Sequence, residues 1–198
     1  MRVVFWSDFN CPYSYIGLNR LSKAIDELDL ECEWEMMAFE LPLQHNFTAS
    51  QIREIEEIGK SEGLSIHLSE LTSSRDAHRL VKFTKENCPE SLLELIFKIY
   101  EANFSYRDIS NHDVLIDISI KCGLDGNAVK NFLLTKKYKV EVEVDTEEAV
   151  FNAITSVPHY IVQSDAHQLI IPGAFEKEDF KIALEDLTSG EITEKSFL

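Results

Sequence analysis

The feature that most constrains the fold of this chain is a cysteine placed between a strand and a helix. Residues 2–9 are a short run of apolar, β-branched and aromatic side chains, which predicts a buried strand. Pro12 suits the first position of a helix, and apolar residues recur after it at intervals of three to four residues. Cys11 is therefore expected at the N-cap of a helix, where the chain has just left a strand.

This position predicts a reactive thiol. The unpaired N–H groups of the first helical turn and the positive end of the helix dipole favour a thiolate. The hydroxyl of Ser14, one turn further on, is expected to donate a hydrogen bond to the sulfur, while the charge of Asp8 acts in the opposite direction. From a reference value of about 8.5, we expect the pKa of Cys11 to fall to between about 5 and about 7. The alternative is that Cys11 is only a small cap residue.

Length and charge limit the classes of protein to consider. The 198 residues suffice for one domain, or for one domain with a large insertion. A net charge of −16 argues against a nucleic-acid partner, because such binding depends on clustered Lys and Arg. No secretory signal and no apolar run of membrane-spanning length is visible, so we expect no membrane partner and a cytoplasmic setting, where disulfides are transient.

The other three cysteines are weaker candidates for redox chemistry. Cys32 begins an alternating run that is typical of a strand, and Cys122 precedes a glycine at a helix end, so both are expected to be buried and inert. Cys88 is followed by a proline and opens a helix, which repeats the setting of Cys11 and leaves a redox role open. No pair has the spacing of a zinc site, and we predict no metal.

Strands are predicted at both ends of the chain and helices in its middle. A second strand covers residues 31–39, and about ninety residues from position 50 follow the spacing of five helices. Residues 139–145 alternate like a strand, but at helical spacing Val140, Val144, Phe151 and Ile154 share one stripe. Strands at 157–162 and 168–171, a turn near 164–165 and a helix at 176–187 close the chain.

Two residues do not fit these patterns simply. Pro158 lies inside a predicted strand, although proline cannot donate to a ladder of hydrogen bonds. His78, between Asp76 and Arg79, is a candidate catalytic residue because histidine as a residue type titrates near neutral pH, but we favour a helix in which Asp76, His78 and Arg79 brace the surrounding helices.

The segment from Trp6 to Gly17 resembles the active-site segment of the DsbA family of thioredoxin-fold proteins, in particular its FrnE-like branch. Further resemblances follow at residues 76–80, 108–115, 156–158 and 172–174. The resemblance implies the α/β class, with a thioredoxin-like fold formed by residues 1–44 and 141–198 and a large all-helical insertion domain at residues 45–140. It also favours a helix at residues 139–145, and it implies a cis bond before Pro158, with that proline beside Cys11.

One departure from the FrnE-like pattern matters most. Ser14 stands where that pattern has a second cysteine, so the Cys-Pro-Tyr-Ser motif holds a single thiol. The motif is also similar to the Ser-Pro-Tyr-Ser segment of kappa-class glutathione transferases and 2-hydroxychromene-2-carboxylate isomerases. Those proteins carry an Asp-Arg pair for glutathione, in a region where this chain has Ala174, Phe175 and Glu176.

Three functions follow from these observations. The first is a monothiol thiol–disulfide oxidoreductase that acts through a mixed disulfide at Cys11, with isomerase or deglutathionylation chemistry. The second is glutathione-dependent isomerisation or transfer, and the third is a peptide-binding module without redox activity. The predicted catalytic residues are Cys11 and Ser14, and the predicted substrate-binding residues are Pro12, Tyr13, Val157, Pro158 and His159. No cofactor is expected to be bound; glutathione is expected as co-substrate, and a protein or small-molecule thiol or disulfide as substrate.

Overall fold

The computed structural model describes residues 1–44 and 47–190. In chain order its elements are β1 (Arg2–Ser7), α1 (Pro12–Glu27), β2 (Glu33–Ala38), α2 (Ala49–Ser61), α3 (Arg75–Asn87), a 3-10 turn (Pro89–Ser91), α4 (Leu92–Asn103), α5 (His112–Lys121), α6 (Gly126–Leu133), α7 (Lys139–Phe151), β3 (His159–Gln163), β4 (Gln168–Pro172) and α8 (Lys177–Ser189).

The four strands form one sheet in the order β2-β1-β3-β4. β1 lies in the interior of the sheet, parallel to β2 and antiparallel to β3, with Phe5 opposite Tyr160. α1 packs against α8, and one hydrophobic core runs from the sheet through α1 into the helices that follow β2. The end of β1, which leads into Cys11, is therefore held by neighbours on both sides.

The order of elements confirms the predicted α/β class and the thioredoxin-like fold. A strand, a helix and a strand come first, helices α2 to α7 lie between β2 and β3, and two strands and a helix complete the chain. Residue 45, where we expect the insertion domain to begin, lies outside the described residues. The division into domains at residues 44 and 140 stays a prediction.

The sequence predicts that Asp76, His78 and Arg79, here named the 76–79 motif, brace the surrounding helices. The structure shows this for Asp76 and Arg79. Arg79, with 1% of its surface exposed, donates to the carbonyls of Thr135 and Lys137, each at 2.8 Å, and pairs with Asp76 at 2.6 Å. The second carboxylate oxygen of Asp76 lies 2.8 Å from Nε2 of His112. These bonds connect α3 to α5 and to the segment before α7. His78 points elsewhere, as described below.

Residues 139–151 form a helix, as the resemblance implied, but the predicted apolar stripe was wrong. Phe151 is 90% exposed and Val140 is 66% exposed, whereas Val142 and Asp145 are buried. The physical reason is that Asp145 accepts hydrogen bonds from the backbone N–H of Ala38 and from Lys82, each at 2.8 Å, which turns that side of α7 toward β2.

Two predictions on strand limits also need correction. β3 begins at His159, so Pro158 lies just before the strand and its missing N–H breaks no ladder. Cys32 lies just before β2 and is half-buried, so it does not point inward from within a strand as predicted. Among the described residues, no helix is both long enough and apolar enough to cross a membrane.

Candidate active site

Cys11 occupies the N-cap of α1, as the sequence predicts. Its φ and ψ of −93° and 110° are extended, and Pro12 is the first helical residue. The Cys11 N–H donates to the carbonyl of Asp8 at 3.0 Å, and its own carbonyl accepts from Ser14 N–H at 3.1 Å and Tyr15 N–H at 3.3 Å. The turn that carries the sulfur is thus fixed to both β1 and α1.

The Cys11 thiol also contacts the segment that precedes β3. Its Sγ donates a hydrogen bond to the carbonyl oxygen of Val157 at 3.5 Å. The Val157–Pro158 peptide bond is cis, as predicted. The carbonyl of Pro158 accepts from the N–H of Gly173 at 2.8 Å, which fixes this segment to the end of β4. A thiol makes the contact with Val157, whereas a thiolate has no proton to donate.

The expected pKa of Cys11 was wrong. Only 6% of Cys11 is exposed, and this burial raises the pKa of its thiol to about 11. The hydroxyl and backbone N–H of Ser14 lower the pKa of Cys11, and the charge of Asp8 raises it further. Removing the sulfur from water disfavours its charged form by more than the first turn of α1 favours it. The resting sulfur is a protonated thiol at neutral pH.

Ser14 lies beneath the thiol and has no exposed surface. Its Oγ has no hydrogen-bond partner in the structure, although it is near enough to Cys11 and Tyr100 to lower the pKa of both groups. A buried hydroxyl without a partner is uncommon in folded proteins, since desolvation is then uncompensated. Ser14 is therefore a donor available to a sulfur that becomes charged.

Ser14 belongs to a buried group of hydroxyls, here named the hydroxyl cluster and consisting of Ser7, Ser14, Tyr100 and Tyr160. The Tyr100 hydroxyl lies 2.5 Å from Ser7 Oγ and 3.3 Å from the carbonyl oxygen of Asp8. The Tyr160 hydroxyl has no partner, and burial raises its pKa and that of Tyr100 well above the usual value. A negative charge on Cys11 would raise both pKa values further, so the two tyrosine hydroxyls of the cluster are close enough to interact with the sulfur when it is charged.

The remaining predicted site residues differ in burial and in the side chains that they contact. Pro12 is buried in the first turn of α1, and Tyr13 is half-buried at the rim. Burial raises the pKa of Tyr13, and the charges of Glu54 and Cys11 raise it further. His159 packs edge-on against Trp6, with ring centroids 6.4 Å apart, and burial lowers its pKa. The structure thus brings Cys11, Ser14 and Val157 together, while His159 packs toward Trp6.

All four cysteines are free thiols. Cys88 lies between α3 and the 3-10 turn, and its Sγ donates to Glu90 at 3.2 Å and to Ser91 at 3.4 Å. Burial raises the pKa of Cys32 and of Cys122 to about 11. Cys122 is buried as predicted, and these contacts do not test the redox role that the sequence leaves open for Cys88.

The segment at residues 174–176 is tied to α1 by a buried arginine. Arg20, 6% exposed, donates to the carbonyls of Ala174 and Phe175 at 3.2 and 3.3 Å and pairs with Glu176 at 2.8 Å. It also pairs with Glu62, the C-cap residue of α2, at 2.7 Å. The guanidinium of Arg20 therefore connects α1 to the segment before α8 and to the end of α2.

A cysteine at the N-cap of α1, next to a cis-proline segment on a β2-β1-β3-β4 sheet, defines the class of DsbA-like thiol–disulfide oxidoreductases. Residues 2–185 match the DSBA-like thioredoxin domain, and the chain belongs to that family.

Two relatives are similar to this chain over almost its whole length. The chain is 25% identical over 201 residues to the Bacillus subtilis (strain 168) protein YwbO, which is described as uncharacterized, and the match covers 94% of this chain and 96% of YwbO. The crystal structure of a probable DsbA oxidoreductase from Streptomyces coelicolor superimposes with a TM-score of 0.80 at 27% identity. That match covers 98% of this chain and 92% of the other.

More distant structures share the fold alone. The cytosolic disulfide reductase DsbM from Pseudomonas aeruginosa, also solved with GSH, has a TM-score of 0.72 at 13% identity over 98% of this chain and 100% of its own. A 2-hydroxychromene-2-carboxylate isomerase has the same TM-score at 14% identity and the same coverage. The predicted resemblance to the DsbA family and to 2-hydroxychromene-2-carboxylate isomerases is confirmed. Membership of the FrnE-like branch stays a prediction.

Proposed function

We propose that this protein is a FrnE-like monothiol thiol–disulfide oxidoreductase that works through a mixed disulfide at Cys11. The observation that carries the proposal is the buried, unpartnered hydroxyl of Ser14 beneath the thiol. It stands at the position where a second cysteine would close an internal disulfide. A hydroxyl there cannot be oxidised with Cys11, but it can donate to the thiolate that attacks or leaves.

Substrate binding activates the thiol in this proposal. In the free protein the carbonyl of Val157 accepts a hydrogen bond from the Cys11 thiol, which favours the neutral sulfur. An extended substrate that donates a main-chain N–H to this carbonyl, with Tyr13, Pro158 and His159 around it, competes for the same acceptor. The Ser14 hydroxyl then donates to the thiolate, an interaction that is realised only when charge develops.

The chemistry consists of two thiol–disulfide exchanges. The Cys11 thiol loses its proton to solvent, and the resulting thiolate attacks one sulfur of a substrate disulfide. A Cys11–substrate disulfide forms, and the other substrate sulfur leaves as a thiolate that takes up a proton from solvent. When that substrate is a glutathionylated protein and Cys11 takes up the glutathione, a second glutathione thiolate attacks the mixed disulfide. Oxidised glutathione is released and the Cys11 thiolate is restored. The protein substrate is reduced, and two glutathione sulfurs end as one disulfide.

This cycle requires a pool of small thiols as co-substrate and no bound cofactor. The four free cysteines are compatible with a reducing compartment, so we also propose a cytoplasmic location. The substrate is a protein or small molecule that carries a disulfide or a glutathione adduct. Fractionation of cells with detection of the protein tests the location separately from the chemistry.

Release of glutathione from a glutathionylated peptide, measured with and without added reduced glutathione, tests the activity. We expect turnover that requires reduced glutathione, loss of turnover in Cys11→Ala, and unchanged turnover in the matched control Cys88→Ala. Turnover that survives in Cys11→Ala contradicts the proposal. A protein that binds extended peptides equally well with and without Cys11, and never releases glutathione, would instead be the peptide-binding module.

A further inference from the structure

His78 is the member of the 76–79 motif that does not brace the helices around it. It lies on α3, only 2% exposed, and its ring packs on Phe9 with centroids 5.0 Å apart. Its Nε2 has no hydrogen-bond partner and lies 3.7 Å from Oδ1 of Asp8. A helix that follows β2 therefore points a buried imidazole at the loop that carries the active-site cysteine.

Asp8 is fixed on that loop and has no exposed surface. Its two carboxylate oxygens accept the backbone N–H groups of Asn10 and Leu41, so the carboxylate cannot turn away from the site. Within the described part of the chain, His78 is the single ion-pair partner found for Asp8. A buried carboxylate next to a thiol resists formation of a second negative charge unless a cation offsets it.

Few ionisable groups face this pair, and those that do are neutral or acidic. Cys11 at the N-cap of α1 and Tyr100 on α4 interact with Asp8 directly, and its charge raises the pKa of both. Tyr160 on β3 and Tyr13, which lies near Glu54, interact in turn with Cys11. The imidazole of His78 is thus the cation available to this site among the groups that interact with Asp8 and Cys11.

We propose that His78 is a positioning residue that, as an imidazolium, offsets the charge of Asp8 whenever Cys11 is a thiolate. Asp8 holds the imidazolium in place, and the pair together adds no net charge to the site. The helices between β2 and β3 then control how readily the thiol ionises. This inference rests on the proposed function only in taking Cys11 as the reacting thiol.

The test is the rate of Cys11 alkylation by iodoacetamide between pH 6 and pH 9, with peptide mapping to identify the labelled cysteine. We expect His78→Gln and His78→Asn to slow the alkylation of Cys11 by about tenfold, because one unit of pKa changes the thiolate fraction tenfold below the pKa. A merely structural role predicts the opposite sign, since loosening a buried site exposes the thiol. The matched control, His112→Gln, removes another histidine that pairs with an aspartate and should leave the rate unchanged.

A double-mutant cycle with Asp8→Asn tests whether His78 affects the alkylation rate of Cys11 through Asp8. Asp8→Asn should restore the alkylation rate of Cys11 when it is added to His78→Gln, and His78→Gln should change the rate little once Asp8 is Asn, because no carboxylate remains to be offset. The inference is overturned if folded His78 variants alkylate as fast as the parent, or if His78→Gln has the same effect in both backgrounds. Failure of the proposed function looks different: Cys11→Ala would then keep glutathione-dependent turnover, whatever His78 does to the alkylation rate.

Discussion

The sulfur of Cys11 lies 3.5 Å from the carbonyl oxygen of Val157, a residue 146 positions further along the chain, and donates a hydrogen bond to it. This contact and the burial of the sulfur both favour the protonated thiol. The resting sulfur is therefore uncharged. In the proposed mechanism, the reactivity of the sulfur depends on a substrate that competes for the Val157 carbonyl and on the Ser14 hydroxyl, which donates to the thiolate.

The first prediction concerns pH. Burial raises the pKa of Cys11 to about 11, so the thiolate fraction of the free protein should rise about tenfold per pH unit throughout the neutral range. Alkylation of Cys11 should follow that slope from pH 6 to pH 9 without levelling off. A plateau near pH 6 or 7 would mean that the helix dipole, and not burial, sets the pKa of the thiol.

The second prediction is that Ser14→Cys converts the protein into a dithiol. Residues 11 and 14 are separated by one turn at the start of α1, and this spacing meets disulfide geometry in Cys-x-x-Cys motifs. The variant should form an internal disulfide under mild oxidant and oxidise reduced peptides without glutathione. Thiol titration checks this, and two free thiols at these positions after oxidation would show that the inferred geometry is wrong.

Ser14→Ala tests the hydroxyl itself, without adding a thiol. Loss of a hydrogen bond to a charged acceptor costs roughly 1.5–3 kcal/mol, so glutathione-dependent turnover should fall by about tenfold or more. Because the buried Ser14 Oγ has no partner in the resting protein, its removal relieves an uncompensated desolvation, so the free energy of unfolding should stay equal or rise. Turnover equal to that of the parent would show that the Ser14 hydroxyl has no role in catalysis.

The fourth prediction concerns Gly17, which allows β3 to approach α1. A Cβ at position 17 would lie 2.7 Å from the Tyr160 hydroxyl and 3.1 Å from the Cα of Ala174. Gly17→Ala should therefore lower the free energy of unfolding by about 1–3 kcal/mol, the usual cost of overpacking a core. Adding Tyr160→Phe should recover part of this loss, since only the first contact is relieved. Urea denaturation of the parent, of both single variants and of the double variant measures these free energies of unfolding. Full recovery of the lost stability in the double variant, or no recovery, would contradict this packing.

The fifth prediction concerns acid stability. Burial opposes ionisation of Asp76, but hydrogen bonds from His112 and Arg79 outweigh it and lower the pKa of this carboxyl. A carboxyl with a lowered pKa stabilises the fold above its unfolded pKa, and this contribution is lost as the pH falls through the folded value. His112→Ala should thus cost about 1 kcal/mol at pH 7 and less at pH 3. An equal loss at both pH values would contradict the pairing.

The sequence predicts the features that depend on neighbours in the chain. The N-cap at Cys11 follows from a strand, a proline and one apolar helical face, and the structure confirms it. The pKa of Cys11 does not follow from these, because it is set by burial against Val157 and the hydroxyl cluster, which only the folded chain brings together. The sequence around Tyr100 indicates only an apolar position of a helix. It does not indicate that the Tyr100 hydroxyl contacts Ser7.

The apolar stripe predicted for α7 shows that a local pattern can also indicate the wrong buried face. Val140 and Val144 share a face at helical spacing, but Asp145 is buried because it bonds the end of β2 and Lys82. A polar residue with fixed partners determined which face packs inward. His78 was likewise assigned to bracing from its neighbours Asp76 and Arg79, while its own partner is Asp8, seventy residues earlier.

The most direct test of the central claim is the mass of the protein after incubation with oxidised glutathione, with peptide mapping of the adduct. A monothiol mechanism predicts one glutathione on Cys11, removed by reduced glutathione, and no adduct on that peptide in Cys11→Ala. Cys88→Ala should carry the same adduct as the parent. Glutathione found on Cys88 with Cys11 unmodified, or an internal disulfide in place of an adduct, would contradict a monothiol oxidoreductase that works through Cys11.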